Sequence, residues 1–254
     1  MRSAPRGKTM PRPPQLLEKA CELHDILKAA SPERIAVMMK ISPALAQKTH
    51  ALIATWNPSP ENQSLAMDSF IGDIYSGLRA EELSQADRDY ADRNLLILSG
   101  LYGILRPYDG IFPYRLEMGY KLTGPGFENL YEFWGDSIAE CLSQKGAIIN
   151  LASEEFSRPV IDFVDKNRVV TPQFLTMNQK TGKPSFVAVH SKITRGAFAR
   201  WMIINKVEDV SELSQFRDLG YKFDKNLSKP AEPTFVCEEF GGKGLSIKMK
   251  GKNE

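Results

Sequence analysis

Residues 166–207 read KNRVVTPQFLTMNQKTGKPSFVAVHSKITRGAFARWMIINKV, and this stretch decides the fold class. Two runs rich in β-branched and aromatic residues, 169–177 and 185–190, predict strands. Between them, Asn178-Gln179-Lys180-Thr181-Gly182-Lys183-Pro184 has the composition of a hairpin loop. From Lys192 to about Lys206 the period changes. At about 100° per residue, Ile193, Ala197, Phe198, Trp201 and Ile204 fall on one side of a helix, and Lys192, Arg195 and Lys206 fall on the other. Apolar residues hold that helix down while its cations face outward.

The same stretch carries Lys166, Arg168, Lys180, Lys183, Lys192, Arg195, Arg200 and Lys206 and no Asp or Glu. Elsewhere 25 basic residues face 31 acidic ones, so a net charge of +2 conceals +8 here and −6 over the rest. An indifferent surface mixes both signs. A cationic helix beside a basic hairpin suits a polyanion, because each Lys or Arg that neutralises a phosphate also releases condensed counterions.

Working outward, elements of both kinds continue without a regular βαβ rhythm. Towards the N-terminus, a stripe of Leu16, Leu17, Ala20, Leu23 and Leu27 predicts a helix on which Cys21 and His24 are packing residues. Ser31-Pro32-Glu33 and Ser42-Pro43 each combine an N-cap with proline at the first helical position, so two short helices, about 32–40 and 43–55, follow one another across a tight turn. This is a helix-hairpin-helix arrangement over about 32–56, with Lys40, Ser42 and Lys48 near the start of its second helix, where a phosphate can meet unpaired N–H groups. Segment 70–75 reads as a strand, and Ser84 with Asp87 opens a helix that Tyr90, Leu95, Leu96 and Leu98 carry to Gly100. Strand-like 101–105 and 114–118 flank a turn at 107–110. A buried helix follows at 130–142, then a strand at 147–152, and short strands at 220–223 and 233–240 close the pattern. The expected fold is therefore α/β, with α+β as the alternative. It is a single compact domain over 15–240, a mixed β-sheet flanked by helices, with a basic flexible arm at 1–14 and a basic tail at 241–254.

A chain of 254 residues, 42% hydrophobic and 25% charged, has the composition of a globular protein and excludes a disordered, fibrous or membrane one. Cys21, Cys141 and Cys237 are odd in number and lack a CxxC spacing, so no disulfide framework, zinc knuckle or other metal site is expected, nor a cofactor. With no apolar leader or membrane span, the expectation is a cytoplasmic monomer away from membranes.

Three polar clusters are candidates for a pocket. Tyr102, Arg106, Tyr114, Arg115 and Glu117 lie around 101–118, where two arginines can grip a phosphate or carboxylate bidentately. Asp136 follows Trp134 on an apolar helix. Asn150, Ser153 and Glu154 stand at the end of an apolar strand, where open sheets place ligands. No nucleophile motif or metal-spaced histidine pair accompanies His24, His50 or His190, so no reaction is read.

The strings ILSGLYGILRPYDGIFPYRLEMG at 97–119, LYEFWGD at 130–136 and INLASEEF at 149–156, with GDIYSGL at 72–78 and GYKFD at 220–224, resemble the peroxide-stress YaaA family, also called DUF328 or UPF0246. The likeness runs from about Leu16 to Phe240. It implies a mixed-sheet α/β fold with a positively charged cleft, resistance to hydrogen peroxide by limiting free iron, and double-stranded DNA bound along its backbone by a helix-hairpin-helix at 35–56. It implies that Arg106, Arg115, Lys192 and Arg195 supply the cleft's cations; Lys40, Ser42, Lys48 and Arg200 complete the expected DNA-binding set. The alternative is an enzyme acting on a small phosphorylated or nucleotide-like substrate in the Arg/Glu/Asn pocket. An iron-binding regulator is disfavoured by scarce ligands. The departure is at the front: the family opens with an apolar strand running into Ser-Pro-Ala-Lys-Thr, of which only Lys8-Thr9 remains here.

Overall fold

A computed structural model describes residues 1, 9–59 and 63–246. The departure at Lys8 and most of the expected arm and tail therefore lie outside the described residues. In chain order the helices are α1 (Leu17–Lys28), α2 (Pro32–Met39), α3 (Pro43–Ala54), α4 (Ala66–Ser69), α5 (Asp73–Leu78), α6 (Gln85–Asn94), α7 (Leu130–Trp134), α8 (Ser137–Glu140), α9 (Glu154–Ile161) and α10 (Ala188–Asn205). The strands are β1 (Ser64–Leu65), β2 (Ile97–Ser99), β3 (Gly103–Leu105), β4 (Gly110–Ile111), β5 (Ile148–Ile149), β6 (Val169–Val170), β7 (Gln173–Asn178), β8 (Lys183–Ser185), β9 (Tyr221–Phe223) and β10 (Thr234–Cys237). The fold is mixed α/β with small mixed sheets, and the chain divides into two compact units that each recruit several segments.

The first unit comprises residues 1–69, 95–144 and 152–164. Its N-terminal helices form because their signals agree. Ser31 Oγ accepts from Arg34 N at 3.3 Å ahead of Pro32, and Ser42 Oγ accepts from Leu45 N at 3.3 Å ahead of Pro43. Between them Lys40 takes the left-handed conformation (φ 52°), and Ile41 N donates to Ala36 O at 3.1 Å, the closing bond of a Schellman-type end. Ala20, Leu23, Leu27, Ile35, Met39, Ala46 and Ile53 bury the shared face. β2 and β3 pair antiparallel with Ile97 opposite Leu105, and β1 pairs antiparallel with β4.

The second unit comprises residues 70–94, 145–151 and 165–254. Its four-stranded sheet has the order β8-β7-β10-β9, with β7 and β10 parallel and the other pairs antiparallel; β5 and β6 form a separate parallel pair. Aromatic rings fill its core: Phe174 meets Phe198 at 5.5 Å and 64°, and Phe198 meets Phe216 at 4.9 Å and 63°, the edge-to-face geometry their quadrupoles favour.

Several expected elements change. Segment 70–75 is not a strand: Gly72 (φ 141°) turns the chain into α5, and Phe70 stacks on Tyr75 at 5.2 Å. Helix α6 stops at Asn94, and Ile97–Ser99 enters a strand instead. The expected strand 114–118 is irregular, and its Leu116 backbone passes where a side chain on Gly100 would stand, 2.4 Å from a Cβ built there. The helix expected over 130–142 breaks at Gly135 (φ 49°) into α7 and α8. The strand expected over 147–152 shortens to β5, and 185–190 yields β8 followed at once by the first turn of α10. The described end of the expected arm is fixed: Arg12 N donates to Tyr108 O at 3.1 Å, and Gly110 N donates to Arg12 O at 2.8 Å.

Candidate functional site

In the second unit the acid-free segment becomes the β7–β8 hairpin and α10. Lys180 and Lys183 on the hairpin and Lys192 on the second turn of α10 are exposed and form no ion pair among the described residues. Arg195, one turn on, is partly buried, and burial lowers its pKa. Arg200 is a correction. Its guanidinium donates to Leu78 O (3.5 Å) and Arg79 O (3.0 Å) and pairs with Glu82 at 3.2 Å, with only 13% of the side chain exposed. It closes the C-terminal end of α5, whose carbonyls have no helical partner, and so leaves the set of outward cations. Lys206, read as outward, pairs with Asp87. Arg168 donates to Lys145 O and Gly146 O. Asn150 belongs to this unit, its backbone N donating to Val170 O at 2.8 Å beside β6.

In the first unit Lys40, Ser42 and Lys48 are exposed around the turn between α2 and α3. Tyr102 is another correction: it is fully buried. Its hydroxyl accepts from Trp56 Nε1 (2.7 Å) and Phe112 N (3.2 Å), and burial pushes its pKa up to about 12. His24 stacks on Trp56 at 4.3 Å and its Nε2 lies 2.9 Å from Ile53 O, so it packs as expected. Tyr114 shares a 2.6 Å hydrogen bond with Ser99. The void beside Trp56, Tyr114 and Arg115 measures about 10 Å³, no more than one water requires. Tyr102, Tyr114 and Arg115 are thus gathered, but as packing around a hydroxyl network. Arg115 Nε is buried with no hydrogen bond among the described residues, and a terminal nitrogen stands 4.0 Å from Glu117. Asp136, Ser153 and Glu154 sit exposed at the starts of α8 and α9, and neither Asp136 nor Ser153 caps its helix through the side chain.

The sequence reading missed a cavity of about 240 Å³ in the first unit, opening between residues 12–15 and the β2–β3 pair. Arg12, Pro13, Gln15, Leu96 and Arg106 line it over a floor of β3. Asp109 is its organiser. Its carboxylate, 4% exposed, accepts from Arg12 Nε at 2.8 Å on one oxygen and from Arg106 N at 2.8 Å on the other. Arg12 and Asp109 were hidden because one lies in a proline-rich lead and the other in a Pro-Tyr-Asp-Gly turn; only the fold brings together two residues separated by 97 positions. Among the described residues no three His, Cys, Asp or Glu side chains gather as metal ligands, and all three cysteines are free. No described helix is long and apolar enough to cross a membrane.

Small mixed sheets, an acid-free hairpin and helix, and a cavity lined in part by Arg12 and Arg106 define a mixed α/β protein. Comparison with known proteins then gives its kinship: the pattern of the peroxide stress protein YaaA family matches residues 2–227, and the chain belongs to that family. It is similar to a UPF0246 protein of Salinispora tropica, 55% identical over 248 residues, which cover 98% of this chain and 94% of that protein. Membership supports a role in peroxide stress.

Proposed function

We propose that this protein binds double-stranded DNA through its phosphate backbone and so helps to limit peroxide damage to it. The observation that carries the reading is the hairpin and helix of the second unit, where Lys180, Lys183 and Lys192 stand exposed without ion-pair partners among the described residues, in a segment with no acidic residue. Exposed lysines left unpaired are free to neutralise phosphates and displace the counterions condensed on a duplex, which makes them sources of salt-dependent affinity. Lys40 and Lys48, flanking the start of α3, and Arg106 and Arg115 in the first unit supply further cations to the same reading. Interactions of this kind position a duplex without reading bases.

A salt titration of labelled duplex tests it. The logarithm of affinity is expected to fall steeply with the logarithm of salt concentration. Combined Lys180→Ala, Lys183→Ala and Lys192→Ala is expected to make that slope shallower by up to about 3, roughly 0.9 for each phosphate no longer neutralised. Affinity indifferent both to salt and to the three substitutions removes the reading.

A further inference from the structure

We propose that the cavity over β3 is a binding site for a nucleoside 5′-monophosphate unit, either free or at the end of a DNA strand. Three features of the first unit lead there. The first is charge. Asp109 is buried and holds both Arg12 Nε and the backbone of Arg106, so the one carboxylate among the described lining residues and the Arg12 guanidinium offset one another, and the Arg106 guanidinium is the charge left at the opening. The Arg106 side chain is exposed and forms no ion pair among the described residues. Planar guanidiniums match the oxygens of a phosphate monoester two at a time.

The second is the lining beside those charges. Leu96, 38% exposed where a leucine usually hides, and Pro13 present aliphatic surface, and Gln15 adds an amide that both donates and accepts. Apolar faces with one amide suit the flat body and polar edge of a nucleobase; inorganic phosphate has no use for them. A cavity of about 240 Å³ is too small to enclose a large cofactor and of the size to receive a base with its phosphate at the rim.

The third is that the wall is fixed before any ligand arrives. Arg12 is stitched to residues 108–110 by two backbone hydrogen bonds as well as by its guanidinium, and Gly110 is approached so closely that a Cβ there would lie 2.8 Å from Pro11 Cβ and 2.1 Å from Gln63 Oε1. A preorganised wall lowers the ordering cost of binding.

Arg106 is common to this inference and to duplex binding, but the lysines decisive for duplex binding lie in the other unit, so the two fail separately. Isothermal titration with dAMP and dTMP is expected to show one saturable site, with deoxyadenosine and inorganic phosphate each binding at least tenfold more weakly. Arg106→Gln is expected to weaken dAMP at least tenfold, and Leu96→Glu to weaken it similarly by placing a carboxylate against the phosphate. Lys183→Ala with Lys192→Ala is expected to leave it unchanged. Arg106→Gln replaces an exposed side chain, and an unaltered thermal melt confirms that it folds. Competition separates the two sources: displacement of dAMP by a 5′-phosphorylated duplex but not by its 5′-hydroxyl counterpart assigns the site to strand ends, and displacement by neither assigns it to free nucleotide. Absence of dAMP binding at millimolar concentration, or binding that survives Arg106→Gln intact, overturns the proposal.

Discussion

His190 shows how one residue's environment sets a measurable property. It is the first-turn residue of α10 whose Nδ1 lies 2.9 Å from Thr176 Oγ1, while Cys237 Sγ donates to the same oxygen at 3.5 Å and Tyr221 Oη stands 3.2 Å away. A neutral imidazole can accept the single Thr176 proton at Nδ1; an imidazolium cannot. Burial first, and the charge of Lys243 second, lower the His190 pKa below its ordinary value near 6.5. The unfolded chain therefore takes up this proton at a higher pH than the folded one. Stability from this group is complete above about pH 6.5 and declines as the pH falls towards the lowered folded-state value. Urea unfolding between pH 5 and 7.5 is expected to show that decline, and His190→Gln, which keeps an acceptor without titrating, is expected to flatten it. A comparable argument applies to Tyr102, the acceptor for a buried donor, Trp56 Nε1, and a part-buried one, Phe112 N. Tyr102→Phe strands Trp56 Nε1 and removes the partner of Phe112 N, and at about 1–3 kcal/mol for the buried indole N–H the loss is readable as a fall in thermal midpoint.

At the scale of elements, the tightest fit is between α5 and α10. A Cβ on Gly196 would lie 1.7 Å from Ile74 O, and one on Gly77 would lie 1.9 Å from Ile193 O, so the two backbones approach as only glycine permits. Gly196→Ala is expected to cost at least the 1–3 kcal/mol typical of overpacking, because the obstacles are backbone atoms that cannot swing aside; a melt within experimental error of the parent would refute the reading. The same elements explain what the sequence shows and what it conceals. α2 and α3 were legible because period, Ser N-caps and proline agree in them, whereas α1 and α10 rested on period alone, and in α10 Ile204 is exposed and Arg195 partly buried against that reading. Helix ends were harder: α2, α5 and α10 stop at Lys40, Arg79 and Lys206, all left-handed, where the usual signal is glycine. Segment 70–75 looked like a strand because Phe70, Ile71, Ile74 and Tyr75 carry β-propensity, yet Gly72 and Gly77 serve a helix packed on another helix, a tertiary fact that local preference does not encode. Among site residues, the exposure of Lys192 followed from periodicity and that of Lys180 and Lys183 from the hairpin loop, whereas Lys206, on the same predicted face, pairs with Asp87. The place of Arg200 followed from neither, since its partners, the carbonyls at 78 and 79, are reached only through the fold.

At the scale of the whole molecule, the chain passes back and forth between its units, so neither is a contiguous half. The second unit takes α5 and α6 from 70–94, β5 from 145–151 and the remainder from 165 onward, and the connections between segments of the first unit run through those elements. If the second unit unfolds alone, the 70–94 connection becomes a flexible loop whose ends the first unit must hold together; closing a loop of that order costs about 3 kcal/mol. Against a typical domain stability of about 5–15 kcal/mol that penalty is large enough to couple the units through the chain itself. The tryptophans report on each separately, Trp56 and Trp134 in the first and Trp201 in the second. Single-tryptophan variants, with the other two replaced by Phe, are expected to give coincident urea transitions, and Gly196→Ala is expected to lower the midpoint seen by Trp56 and Trp134 as well as by Trp201. If Trp201 alone responds, the units unfold independently and connectivity does not couple them.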